Sequence, residues 1–167
     1  PPLFSPGTRW TAGPDRAVFV AVTAGYDIDV YEPPTFALAR RIHRPVPALE
    51  PTEELAVASV GDGMRVMTPA GARTCDPLEV VEQRGMASPV PPITELVVSP
   101  AGEIFVERWS LPDEEPAIDV LSSGGDYLGT LPPGFPLPEG FLDEDRFVVT
   151  EEDELGLQSV AVYALRR

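Results

Sequence analysis

The sequence predicts an all-β fold of antiparallel four-stranded units, and three observations carry that expectation. First, 21 prolines and 14 glycines are spread along the 167 residues, so few stretches are free to hold a three-turn helix. Second, short runs rich in β-branched and aromatic residues alternate with turns built on Gly, Pro and Asp, the pattern of short strands joined by hairpins. Third, Phe105 and Phe147 hold equivalent places in two such runs, 42 positions apart. A hydrophobic content of 43% with 23% charged residues is enough to bury a core, at the length of one ordinary domain.

The units follow in order. Residues 1–9 form an extended, Pro-rich tail. Residues 10–44 form the first unit, with strands at Ala17–Val22, Tyr26–Tyr31 and Phe36–Ile42. In the second of these, Ile28 and Val30 alternate with Asp27, Asp29 and Tyr31, which gives one buried and one wet face. Residues 92–135 form another unit: Glu95–Val98, the turn Ser99-Pro100-Ala101-Gly102, Ile104–Trp109, Ala117–Leu121, the turn Ser122–Gly125, and Tyr127–Leu131. Residues 136–167 repeat much of that order as a closing unit, with Gly140–Leu142, Arg146–Val149 and Ser159–Leu165. Phe19 precedes Phe105 by 86 positions, about twice the other spacing, so residues 45–91 hold an irregular unit or an insertion. Its inner hairpin is expected at Gly61-Asp62-Gly63 and Met64–Met67, while Leu78–Arg84 reads equally as a short helix or a strand.

Four-stranded units that recur every forty to fifty residues are the blades of a β-propeller, because each sheet covers its apolar face by stacking on its neighbours. A β-sandwich is the alternative. The stretch from Pro92 to Arg167 resembles the C-terminal end of bacterial six-bladed β-propeller proteins of the NHL-repeat-like group. The resemblance is carried by Ile93–Trp109 with its Pro-x-Gly turn, by Ala117-Ile118-Asp119-Val120, by Gly125–Leu131, and by the terminal Val160–Leu165. Gly13 to Arg44 looks like an earlier blade of the same kind, and the middle third departs from the pattern. A six-bladed ring needs on the order of 250 residues at this repeat length. The chain therefore has material for three or four blades, a partial or incomplete propeller whose edges a partner is expected to cover. The resemblance also implies a periplasmic or cell-envelope location, on the extracytoplasmic face of a membrane-protein complex.

A formal net charge of −15 repels phosphate backbones and anionic lipid headgroups, so no nucleic-acid partner is expected. No run of about twenty apolar residues is present, so no membrane span is expected within the chain. The sequence opens on Pro1-Pro2 without an initiator Met, which points to processing or to a longer protein. Single Cys75 cannot form an intramolecular disulfide.

A search for chemistry leaves the catalytic, cofactor and metal classes empty. His43 is the sole histidine and lies among Arg40, Arg41 and Arg44, and one His with one Cys cannot build a Cys/His zinc site. Cys75 stands between Arg73 and Asp76, which push its thiol in opposite directions. Neither a Gly-x-Ser-x-Gly elbow nor a phosphate loop nor a dinucleotide fingerprint occurs. The acidic runs at 113–115, 143–145 and 151–154 lack the Asp-x-Asp-x-Asp-Gly spacing of a calcium loop and read as solvated loops.

The expectation is therefore a non-enzymatic interaction or scaffold module, a structural subunit of a larger assembly with a protein partner. Its candidate interface residues are Pro2, Leu3 and Phe4 in the apolar tail, with Trp10, Tyr26 and Phe135, whose rigid aromatic area suits an anchor. The rival readings are a cation-dependent propeller hydrolase or lyase and a ligand-sensing ectodomain.

Overall fold

The computed structural model describes residues 1–69 and 71–165. Ala70, in the expected middle unit, and Arg166 and Arg167, at the end of the expected closing unit, lie outside the described residues. Among the described residues the fold is all-β, built from antiparallel sheets with two short α-helices.

The first sheet is a meander of β1 (Thr8–Ala12), β2 (Val18–Val22), β3 (Asp27–Glu32) and β4 (Ala37–His43), in that spatial order. The strand periodicity read from the sequence holds here, because Phe19, Ala21, Ile28, Val30 and Ile42 are buried on one face. The middle sheet has the same build, with β7 (Ile93–Val98), β8 (Ile104–Arg108), β9 (Ile118–Leu121) and β10 (Tyr127–Thr130). The last sheet has three strands among the described residues: β11 (Gly140–Phe141), β12 (Arg146–Glu152) and β13 (Gln158–Ala164).

Among the described residues of 45–91 there is no four-stranded sheet. They fold as helix, hairpin, helix: α1 (Glu53–Val60), β5 (Met64–Thr68), β6 (Gly71–Cys75) and α2 (Pro77–Arg84). Local chemistry accounts for both helices. Thr52 caps α1, its hydroxyl accepting from the Leu55 amide at 3.1 Å. Asp76 caps α2 through the Leu78 amide at 2.9 Å, and Pro77 occupies the first turn, where its missing N–H costs nothing. Each helix stops at a glycine with positive φ, Gly61 and Gly85. The ambiguous Leu78–Arg84 is thus helical. No helix among the described residues is long and apolar enough to cross a membrane.

The three larger sheets stack. Leu96, Val98, Ile104, Val106 and Leu121 on one face of the middle sheet join Phe19, Ala21, Ile28, Val30 and Ile42 of the first in one buried cluster. On the opposite face of β8, Phe105 meets Phe141 of the last sheet, ring centroids 6.0 Å apart. Phe147 is sandwiched among Phe135, Phe141 and Tyr163 at 5.6, 6.3 and 5.3 Å. Residues 104–106 are consequently buried without alternation, as expected of a strand covered on both sides. The close fit of the first seam depends on Gly125. It has φ 98°, and a Cβ there would lie 2.7 Å from Ile42 Cγ1.

Candidate functional site

The first seam ends in a buried ionic node. Asp119, in the middle of β9, points into the seam because it lies opposite Val106 in the β8–β9 register, and it is fully buried. Its Oδ1 accepts from the Thr130 hydroxyl at 2.6 Å. Its Oδ2 accepts from the Tyr26 hydroxyl at 3.1 Å and from the Arg44 guanidinium, and Arg108 Nε lies 3.4 Å away. Arg44 is held in place by lying over the Tyr127 ring, 4.0 Å from its centroid. Burial first, then the Asp119 charge and hydrogen bond, push the Tyr26 phenol well above its ordinary value. A carboxylate so fully engaged has no lone pair aimed at solvent. The node is a lock between sheets: both Asp119 oxygens accept hydrogen bonds, while Arg108 Nε is buried beside them with an ion-pair contact but no hydrogen bond.

At the other end of this seam, the loops Pro14–Ala17 and Glu32–Pro34 border a cleft of about 730 Å³ closed by Arg40, Gly102 and Ser123. Arg40 spans it, donating to the Ser123 carbonyl at 2.7 Å and to Glu32 at 3.4 Å. Asp15 and Arg16 on its rim both have positive φ, a conformation that costs non-glycine residues energy.

The six candidate interface residues fall into different settings. Leu3 and Phe4 are engaged within the chain. The Leu3 amide donates to the Gly85 carbonyl at 2.9 Å, the Ala87 amide donates back to Leu3 at 2.8 Å, and Phe4 meets Trp109 edge-on at 5.8 Å. The tail of residues 1–9 is thus docked on the end of α2, and its last residues open β1. Tyr26 is buried in the ionic node, and Phe135 packs on Phe147 and Tyr163. Pro2 and Trp10 are exposed, Trp10 to 68%.

Trp10 belongs to a wider feature. It lies opposite Val20 on the outer face of the first sheet, beside Val18 and Val22 and with Leu38 three strands away on the far edge. Val22 is 54% exposed. The polar part of that face is self-paired: Arg41 grips Asp29 through two bonds at 2.6 and 2.8 Å, and His43 Nδ1 lies 2.9 Å from Asp27. The Arg41 guanidinium holds the Asp29 carboxyl below the usual carboxylate range. At the far end of the stack, the outer face of the last sheet presents Val148, Val160 and Val162, the last two 69% and 57% exposed.

The remaining reactive groups are dispersed. Cys75 is buried opposite Met64 at the end of the β5–β6 hairpin. Asp143 is paired with Arg146 at 2.5 Å, and Asp153 Oδ1 accepts from the Leu155 and Leu157 amides at 2.9 Å to form the β12–β13 tip. Among the described residues no three His, Cys, Asp or Glu side chains converge as metal ligands. No protein-family model matches the chain, and neither a curated protein nor a solved structure is similar to it.

Proposed function

We propose that the chain is a non-enzymatic protein-interaction module, a partial β-propeller that serves as a structural subunit of a larger assembly. One observation carries this reading. The strand β8 of the middle sheet is covered on both faces, whereas the outer face of the first sheet leaves Trp10, Val22 and Leu38 in water. An exposed Trp10 on the edge strand β1, beside Val22 and the half-buried Val18 and Val20 of β2, marks a contact surface. The matching four-strand meanders of the first and middle sheets, with Phe19 and Phe105 each the second residue of the second strand, buried and facing the next sheet, support the blade reading. The resemblance of the C-terminal half adds a setting for the assembly, the extracytoplasmic face of a bacterial membrane-protein complex.

The test is the native size of the protein in extract from its source, compared with a Trp10→Asp/Val22→Asp variant. The wild type is expected in a species well above 18.0 kDa, and the variant as a free chain with unchanged melting temperature, since both side chains are already in water. A wild-type chain running alone at 18.0 kDa overturns the reading. A complex that survives both substitutions overturns the assignment of this face.

A further inference from the structure

We propose that a second copy of this chain pairs antiparallel with the free edge of β13, joining two three-stranded sheets into one. The proposal rests on the interaction-module reading and names one of the partners. Backbone geometry identifies the free groups. The Leu165 amide donates to the Asp145 carbonyl at 2.7 Å, and the Asp153 amide to the Leu157 carbonyl at 3.1 Å. With the β12–β13 register pairing Phe147 with Tyr163 and Val149 with Ala161, the odd-numbered residues of β13 turn their N–H and C=O towards β12. Those of Val160, Val162 and Ala164 therefore face away, and no strand among the described residues meets them. In the first and middle sheets a fourth strand, β4 or β10, occupies the corresponding position.

This edge lacks the devices that keep sheet edges apart. From Ser159 to Leu165 it carries no charge and no proline, and Val160 and Val162 stand exposed on one face of it. An edge of that length and polarity is a template for another strand. The sequence is complementary to itself about Val162. With Val162 opposite its own copy, Val160 faces Ala164 of the second copy and Ala161 faces Tyr163, so a large side chain meets a small one at each flanking pair. Val160, Val162 and Ala164 each then exchange both backbone bonds with the copy. The pairing is isologous and closes on itself, which limits growth to a dimer.

Charge favours this site over the rest of the surface. A chain of net charge −15 repels its copy broadly, but no charges oppose one another across an uncharged strand.

Sedimentation of the purified chain across a concentration series tests this, with Val162→Pro and Val162→Lys as variants. Wild type is expected to move to twice 18.0 kDa as concentration rises, with a melting temperature that rises in parallel. Val162→Pro removes an N–H that β12 does not use, and proline is tolerated at such edge positions. Both variants should remain monomers with the melting temperature of dilute wild type. Should the proline variant lose its fold, the lysine variant decides. A wild type that stays monomeric at every soluble concentration overturns the proposal, and so does a dimer that Val162→Lys leaves intact. A purified monomer that still enters a large species in extract removes the second copy as occupant and leaves the interaction-module reading standing.

Discussion

The middle and last sheets use the same strand chemistry and end in different states. In the middle sheet, Ile104, Phe105 and Val106 are buried in succession because the first sheet lies on one side and the last on the other. In the last sheet, Phe147 and Val149 are buried while Val160 and Val162, on the other face, stand in water. Strand formation is common to both, so the difference comes from neighbours. A sheet of this build acquires its second apolar face from a partner, and where the chain supplies none the face remains available.

Truncating side chains on the two faces should separate these states by the widest margin. Phe105→Ala and Ile104→Ala remove atoms from opposite sides of β8, and each is expected to cost about 3–4 kcal/mol, as large-to-small changes in a close-packed core do. Phe147→Ala should cost a similar amount, but Val160→Thr, on the open face, should stay within about 0.5 kcal/mol. Urea titration of the four variants measures this. A Val160→Thr loss comparable to that of Ile104→Ala would show that the outer face of the last sheet is covered in solution.

Strands were legible in the sequence where their alternation is local, as in the first sheet. Ile28 and Val30 against Asp27 and Asp29 declare a half-buried strand within six residues. β1 was harder to see, since its inward positions opposite Ala21 and Phe19 are Arg9 and Thr11; Arg9 reaches out to the Thr94 carbonyl at 2.6 Å instead of filling a core. The helices of residues 45–91 had readable signals in Thr52 before Glu53-Glu54 and in Asp76-Pro77, each closed by a glycine, yet the expectation of another sheet competed with them. The ionic node had no local signal. Tyr26 and Asp119 are 93 positions apart, and an aromatic residue beside a strand reads equally well as an exposed anchor or as a buried donor. Its burial is decided by an aspartate that only the stacking of two sheets brings near.

Removing that aspartate probes what the first seam has and the second lacks. Asp119→Ala leaves Arg44 and Arg108 facing each other without an anion. Breaking a buried ion pair from one side costs about 3 kcal/mol, the low end of the usual range, because both guanidinium groups reach solvent at their edges. Asp119→Asn, which keeps an acceptor for Tyr26 and Thr130, should lose less. The aromatic seam between the middle and last sheets contains no such charge. Added salt should therefore alter the loss in Asp119→Ala and leave that in Phe147→Ala unchanged.

The smallest effect concerns Tyr26. Its phenol is held above the ordinary value of 10.0 by burial and by Asp119. Between that value and the higher one of the folded chain, the unfolded phenol loses its proton while the folded one keeps it. The folded state then binds more protons, so the contribution is whole below pH 10 and declines as pH rises beyond it. Tyr26→Phe should cost about 1.5 kcal/mol at neutral pH through the lost hydrogen bond to a carboxylate, and should flatten the alkaline decline. Tyr163 is the matched control in the last sheet: Glu151, by accepting its hydroxyl, also raises it, but at an exposed site where solvent screens the interaction. Denaturation midpoints from pH 8 upward should therefore separate Tyr26→Phe from wild type and leave Tyr163→Phe close to it. Parallel curves for wild type and Tyr26→Phe would mean that the phenol is not sealed in the seam.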